Sequence, residues 1–166
     1  MTSRNRVAAR SSRVRLPPFM ELLEEHGDVV YRYLRVAVGP DDAEDCLQET
    51  LLSALRAYPR LTDDRNLRGW LLTIAKRKAY DEHRSRRRRP APSERLPEAV
   101  SDPPTEAEDG LWRAVGELPP KQREAVVYRF VCDLPHREIG ELMGSTESAA
   151  RRNVYEGLRA LREVWR

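Results

Sequence analysis

The sequence predicts an all-α protein: two small helical domains joined by a flexible, acidic, proline-rich linker. Three observations predict it. Apolar residues recur at helical spacing, while long β-branched alternation and Asn-Gly or Asp-Gly hairpin signals are missing. Charge is unevenly spread: residues 76–89 carry net +6, and 90–110 carry net −5 together with five prolines. Prolines and like charges oppose packing, so 90–110 reads as a linker. Finally, 166 residues with 40 % hydrophobic and 34 % charged side chains suffice for small cores and are too apolar for wholesale disorder. The organisation is therefore a basic flexible tail (1–15), a first helical domain (16–89), the linker (90–110) and a second helical domain (111–166).

In the first domain the pattern predicts helices over 19–26, 29–38, 41–58 and 67–85. Pro40-Asp41-Asp42 is a start signal and Tyr58-Pro59 a stop. In the second it predicts helices over 111–116, 120–131, 135–143 and 146–164. Gly144 ends the third of these, and Ser145 or Thr146 can cap the fourth. Two helices joined by a short Gly-containing turn form a helix-turn-helix.

Composition excludes several classes. No apolar run approaches the length of a membrane span, so no membrane partner is expected. Residues 1–20 hold five Arg and no acid but lack the apolar stretch of a secretory signal. Cys46 and Cys132 have no CxxC spacing, which speaks against a disulfide framework and fits a reducing cytoplasm. No Gly-rich phosphate loop, metal cluster or nucleophile–base pair is present, so neither an enzyme nor a cofactor is expected. Asp81-Glu82-His83 does not alter this, because adjacent helical residues diverge rather than converge on a metal. Trp70 and Cys46 read as packing residues.

The basic charge is 27 Arg against 3 Lys, and Arg forks suit phosphates and base edges. At 100° per residue, Ala150, Val154, Leu158, Leu161 and Trp165 share one stripe of the last helix. Ser148, Arg151, Arg152, Tyr155, Arg159 and Arg162 share the opposite one, and these six include no acid. That segregation suits a DNA major groove better than a solvated face, which ordinarily mixes signs. Glu156 falls at the edge of this face. On helix 41–58, Ala43, Leu47, Thr50, Leu51, Ala54 and Tyr58 face inward. Asp45, Gln48, Glu49, Leu52 and Arg56 face outward, with Leu52 isolated among polar groups as an interface anchor would be.

Longer stretches add a family resemblance. Leu118-Pro119-Pro120-Lys121-Gln122-Arg123-Glu124, followed by Glu138-Ile139-Gly140-Glu141-Leu142-Met143-Gly144 and the final helix, closely resembles the promoter-binding C-terminal region of extracytoplasmic-function (group 4) sigma factors of bacterial RNA polymerase. In the first domain, Asp42-Ala43-Glu44-Asp45-Cys46-Leu47-Gln48-Glu49-Thr50 is similar to the core-polymerase-binding helix of that family. Leu67-Arg68-Gly69-Trp70-Leu71 with Ile74-Ala75-Lys76 is similar to its helix for the minus-ten promoter element. The resemblance covers about 19–89 and 111–164.

It implies a sigma factor that binds core RNA polymerase and directs promoter recognition, DNA opening and transcription initiation. The first domain is then region 2-like and the second region 4-like. It implies core polymerase contacts at Asp45, Gln48, Glu49, Leu52 and Arg56. It implies minus-ten contacts at Arg65, Asn66, Lys76, Arg77, Tyr80 and Arg84, and minus-thirty-five contacts on the last helix. Core polymerase and double-stranded and opened promoter DNA are the expected partners, and an anti-sigma factor is compatible with the resemblance. Arg77 stands where the family often has a base-reading Asn, and Pro135 replaces a usual Ser cap. The alternative is a free-standing helix-turn-helix regulator that never meets polymerase.

Overall fold

The computed structural model describes residues 15–88 and 106–164, so nearly all of the expected tail (1–15), most of the expected linker (90–110) and Trp165 of the expected apolar stripe lie outside the described residues. Seven α-helices follow one another: α1 (Phe19–Val38), α2 (Pro40–Ala57), α3 (Leu67–Arg88), α4 (Glu106–Glu117), α5 (Pro120–Phe130), α6 (His136–Leu142) and α7 (Glu147–Val164). A short 3-10 turn, Tyr58–Arg60, follows α2. No strand occurs among the described residues.

The first unit packs α1, α2 and α3 mutually. Leu22, Val30, Leu34, Leu71, Leu72, Ala75, Ala43 and Ala54 are buried in it. Phe19, Tyr58 and Trp70 close one end as an aromatic cluster, with ring centroids 5.2 Å apart for Phe19–Tyr58 and 5.9 Å for Tyr58–Trp70. The Tyr58 hydroxyl donates to the Pro17 carbonyl at 2.6 Å, which fixes the chain entering α1. Thr50 is buried and donates to the Cys46 carbonyl at 2.7 Å, so its hydroxyl is satisfied within α2.

Two sequence expectations change here. The separate helices 19–26 and 29–38 are one helix, α1. Gly27 costs about 1 kcal/mol in a helix interior, but Leu22 on one side and Val30, Tyr33, Leu34 and Val38 on the other bury a single stripe that rewards continuity. The second change is that α4 begins at Glu106, inside the expected linker and ahead of the expected 111–116. A net charge does not register that Glu and Ala are strong helix formers, and no proline lies between Pro104 and Pro119.

The second unit packs α5 against α7 and α6 against α7, with α4 lying on α7. Two glycines permit close approach. A Cβ on Gly140 would stand 2.9 Å from the Thr146 backbone carbon, and one on Gly157 would stand 2.7 Å from Val126 Cγ2.

The two units also pack on each other. Tyr33 of α1 stacks on Tyr128 of α5 with centroids 5.6 Å apart and planes 13° from parallel. Both rings are buried, and burial pushes both phenol pKa values up. Arg68 of α3 pairs with Glu138 of α6 at 3.0 Å, and Lys76 of α3 pairs with Glu124 of α5. Cys132 lies fully buried at the end of α5, and its thiol is pushed up to about 12 by that burial. The linker composition, read as a tether between independent modules, is silent on whether the faces at its two ends are complementary.

Tyr128→Ala should cost about 3–5 kcal/mol in urea unfolding, as large aromatic truncations do. Tyr33→Ala should couple to it: the double variant should lose less than the sum of the singles, with a coupling of about 0.5–1.5 kcal/mol from the stack itself. Strict additivity would mean that the stack adds nothing beyond each ring's own burial.

Candidate nucleic-acid and partner-binding faces

The first face is the outer side of α2. Asp45, Gln48, Glu49, Leu52 and Arg56 are all exposed, while Ala43, Cys46, Thr50, Ala54 and Tyr58 are buried. Leu47 and Leu51, also expected inward, are half-buried. Leu52 is 48 % exposed and Leu55, one turn on, is 51 % exposed. Sequence reasoning missed Leu55, although its i+3 spacing from Leu52 marks it as a neighbour on the helix surface. Burial raises the Cys46 thiol pKa, with Glu82 adding to the rise. Glu49 accepts from Lys78 of α3 at 3.2 Å, and Asp42 pairs with Arg86 of α3. These pairs fix the orientation of the α2 face relative to α3.

The second face belongs to α3. Its start is built by Asn66, whose Oδ1 accepts from Gly69 N–H at 2.8 Å as a helix cap. Just before it, Arg65 clamps the Asp63 carboxylate, with Nε 2.9 Å from Oδ1 and Nη2 2.6 Å from Oδ2. That hydrogen bonding draws the Asp63 pKa down to about 2. So of the expected minus-ten residues, Asn66 commits its oxygen to the helix and Arg65 its fork to Asp63. Lys76 is held by Glu124. Thr73, Arg77, Tyr80, Arg84 and Arg87 form an exposed stripe at helical spacing, with Tyr80 67 % exposed at its centre. Arg77 and Arg84 have no ion-pair partner among the described residues. A flat aromatic between free guanidinium groups suits unstacked bases and their phosphates.

The third face is on α7. Gly144, at φ 61°, makes the turn out of α6, and Ser145 N–H donates to the Gly140 carbonyl at 2.8 Å. Thr146 is the cap: its Oγ1 accepts from Ala149 N–H at 3.1 Å. Ala150, Val154 and Gly157 turn inward. Ser148, Arg151, Arg152, Tyr155, Arg159 and Arg162 all lie exposed on the opposite side. Glu156 is drawn off this face, since it accepts from Gln122 Nε2 of α5 at 3.2 Å. Glu147, which the sequence reading left out, stands beside Arg151 with Oε1 2.8 Å from Nη2. No group of three His, Cys, Asp or Glu is placed to hold a metal among the described residues.

With these faces in view, the comparisons with known proteins decide the family. Sigma-70 region 2 matches residues 22–89, and Sigma-70 region 4 matches residues 109–161. The RNA polymerase sigma factor CarQ of Myxococcus xanthus is 35 % identical over 153 residues, covering 88 % of this chain and 88 % of its own. The extracytoplasmic-function sigma factor BldN of Streptomyces coelicolor is 35 % identical over 156 residues, covering 86 % of this chain and 58 % of its own. The chain belongs to the extracytoplasmic-function sigma factors. The fold agrees: the sigma factor RpoE of Bartonella quintana, solved with the anti-sigma factor NepR, superposes with a TM-score of 0.70 at 21 % identity. That match covers 89 % of this chain and 96 % of that one. In this sigma factor the region 2 match runs from within α1 through α2 and α3, and the region 4 match runs from within α4 to α7.

Arg152 and Arg159 should fail differently. Arg152→Ala, near the α7 start, should flatten base preference at one position of a duplex target by about 1–3 kcal/mol. Arg159→Ala, two turns on, should weaken all sequences alike and lower the salt slope by about one unit. Salt titrations of the full chain on preferred and scrambled duplexes separate the two. Equal preferred-to-scrambled ratios for wild type and Arg152→Ala would remove base reading from this residue.

Proposed function

We propose that this sigma factor binds core RNA polymerase through the α2 face and brings it to promoters, where α3 takes the opened strand at the minus-ten element and α7 reads the minus-thirty-five duplex. The observation that supports this best is the coexistence of three unlike faces on one chain. One is acid-rich with two exposed leucines, one is basic around a single tyrosine, and one is an Arg-Tyr stripe on a helix-turn-helix. A free-standing regulator has no use for the first. Asp45, Gln48, Glu49, Leu52 and Arg56, with Leu55 added, are the polymerase contacts in this reading. Arg77, Tyr80 and Arg84 hold the opened strand, joined by Lys76, Arg65 and Asn66. The protein acts as a binding subunit without chemistry of its own, in the cytoplasm with polymerase. None of its described helices is long and apolar enough to cross a membrane. An anti-sigma partner is, in this reading, a protein that covers one of the three faces.

The packing of the two units sets a condition on this function. The two promoter elements lie about 25 base pairs apart by their names, or about 85 Å at ~3.4 Å per pair. A packed chain of this length has a radius of gyration of about 15 Å. The units therefore separate on the promoter, breaking the Tyr33–Tyr128 stack and releasing Arg68 and Lys76 from Glu138 and Glu124. A fluorophore pair on α2 and α7 should show high transfer in the free protein and low transfer on adding core polymerase and promoter.

Leu52→Arg and Leu55→Arg should each weaken core polymerase binding at least about tenfold, as loss of an interface anchor does. Circular dichroism should stay unchanged, since both side chains already face solvent. Pull-down and competition with core polymerase measure the loss; wild-type affinity in both variants would detach polymerase binding from α2.

A further inference from the structure

Glu147 is an acid at the end of the helix that enters the groove, where a carboxylate meets phosphate repulsion on both sides. Its neighbours explain its use. Thr146 caps α7, so the Glu147 backbone is fixed at the first helical position. Its Oε1 lies 2.8 Å from Arg151 Nη2, while the two side chains remain 48 % and 67 % exposed. Arg152, the adjacent base-edge candidate, has no ion-pair partner among the described residues. An Arg carries five N–H donors in one plane. A carboxylate that occupies Nη2 leaves the others for the O6 and N7 acceptors of guanine. It also restrains a long, rotamer-rich side chain that otherwise swings to the nearest phosphate.

We propose that Glu147 is a positioning residue for promoter reading: it holds the Arg151 guanidinium toward a guanine edge and so sets the base preference at that position. This rests on the reading that α7 enters the major groove. As an ordinary surface pair, Glu147 and Arg151 would matter little to stability and nothing to sequence preference. The positioning role therefore shows in preference rather than in folding.

The test uses the holoenzyme, core polymerase plus full-length chain, selecting from duplexes randomised upstream of the minus-ten element. Arg151→Ala should flatten one position by about five- to a hundredfold. Glu147→Ala should flatten the same position several-fold, while affinity for scrambled duplex rises because a negative charge has gone. Glu147→Gln, whose amide oxygen still accepts from Arg151, should retain most of the preference. In an Arg151→Ala background, Glu147→Ala should change no preference. A uniform gain of affinity for Glu147→Ala with an unchanged profile overturns the positioning role. A profile that shifts equally with and without Arg151 also overturns it, in favour of Glu147 touching a base itself. If Arg151→Ala and Arg152→Ala leave the profile unchanged too, the groove reading of α7 falls along with it. If only Glu147→Ala does, α7 reading stands and the positioning role alone is lost.

Discussion

The stack of Tyr33 on Tyr128 joins what would otherwise be two undersized cores. Units of this size bury a small share of their surface, and a core that small leaves little stability to spare. One ring from each unit, both out of water, merges the apolar interior of α1–α3 with that of α5–α7. Around the stack, Arg68–Glu138 and Lys76–Glu124 fix the relative rotation of the units. Ion pairs half open to solvent are weak as sources of stability but effective at rejecting misaligned arrangements. The contact is thus apolar at its centre and charged at its rim, the anatomy of a non-obligate interface.

The same polar pairs connect structure to function. Two cations of α3, Arg68 and Lys76, are paired with acids of the second unit. The remaining stripe, Arg77, Tyr80 and Arg84, stays free on the far side. In the reading proposed above, this interface of one stack and two salt-sensitive pairs is the contact that gives way when the chain meets its larger partners. On α2 and α3 the pairs Asp42–Arg86 and Glu49–Lys78 do the opposite work. They cross-link helices that also share a buried core, so they set how the α2 face and the α3 stripe are oriented to each other.

Features that depend on near neighbours in the chain were legible from the amino-acid sequence alone. Helical periodicity divided α2 into buried Ala43, Thr50, Ala54 and exposed Asp45, Gln48, Leu52, and α7 into buried Ala150 and Val154, half-buried Leu158 and Leu161, and exposed Ser148, Arg151, Arg152, Tyr155, Arg159 and Arg162. Turn chemistry located the α6–α7 turn, since Gly144 and Thr146 act within a few residues of themselves. The motif strings identified the family, because they run through whole helices in a fixed order. Glu147 beside Arg151 was equally local, an i,i+4 pair legible in principle and passed over because the reading sought basic residues alone.

Contacts between residues distant in the chain settled the rest. Gly27 stays inside one helix because residues on both sides of it bury against α2 and α3, which no local propensity reports. Tyr33 and Tyr128 belong to different units, and their meeting depends on surface complementarity between helices some 95 positions apart. Helix angle put Glu156 at the edge of the α7 polar face, and its partner there is Gln122, 34 residues earlier. Lys76 looked like a free DNA cation until Glu124 of the other unit took it. In each case the deciding energy comes from a partner distant in sequence, and periodicity specifies which face a residue occupies, never what that face will meet.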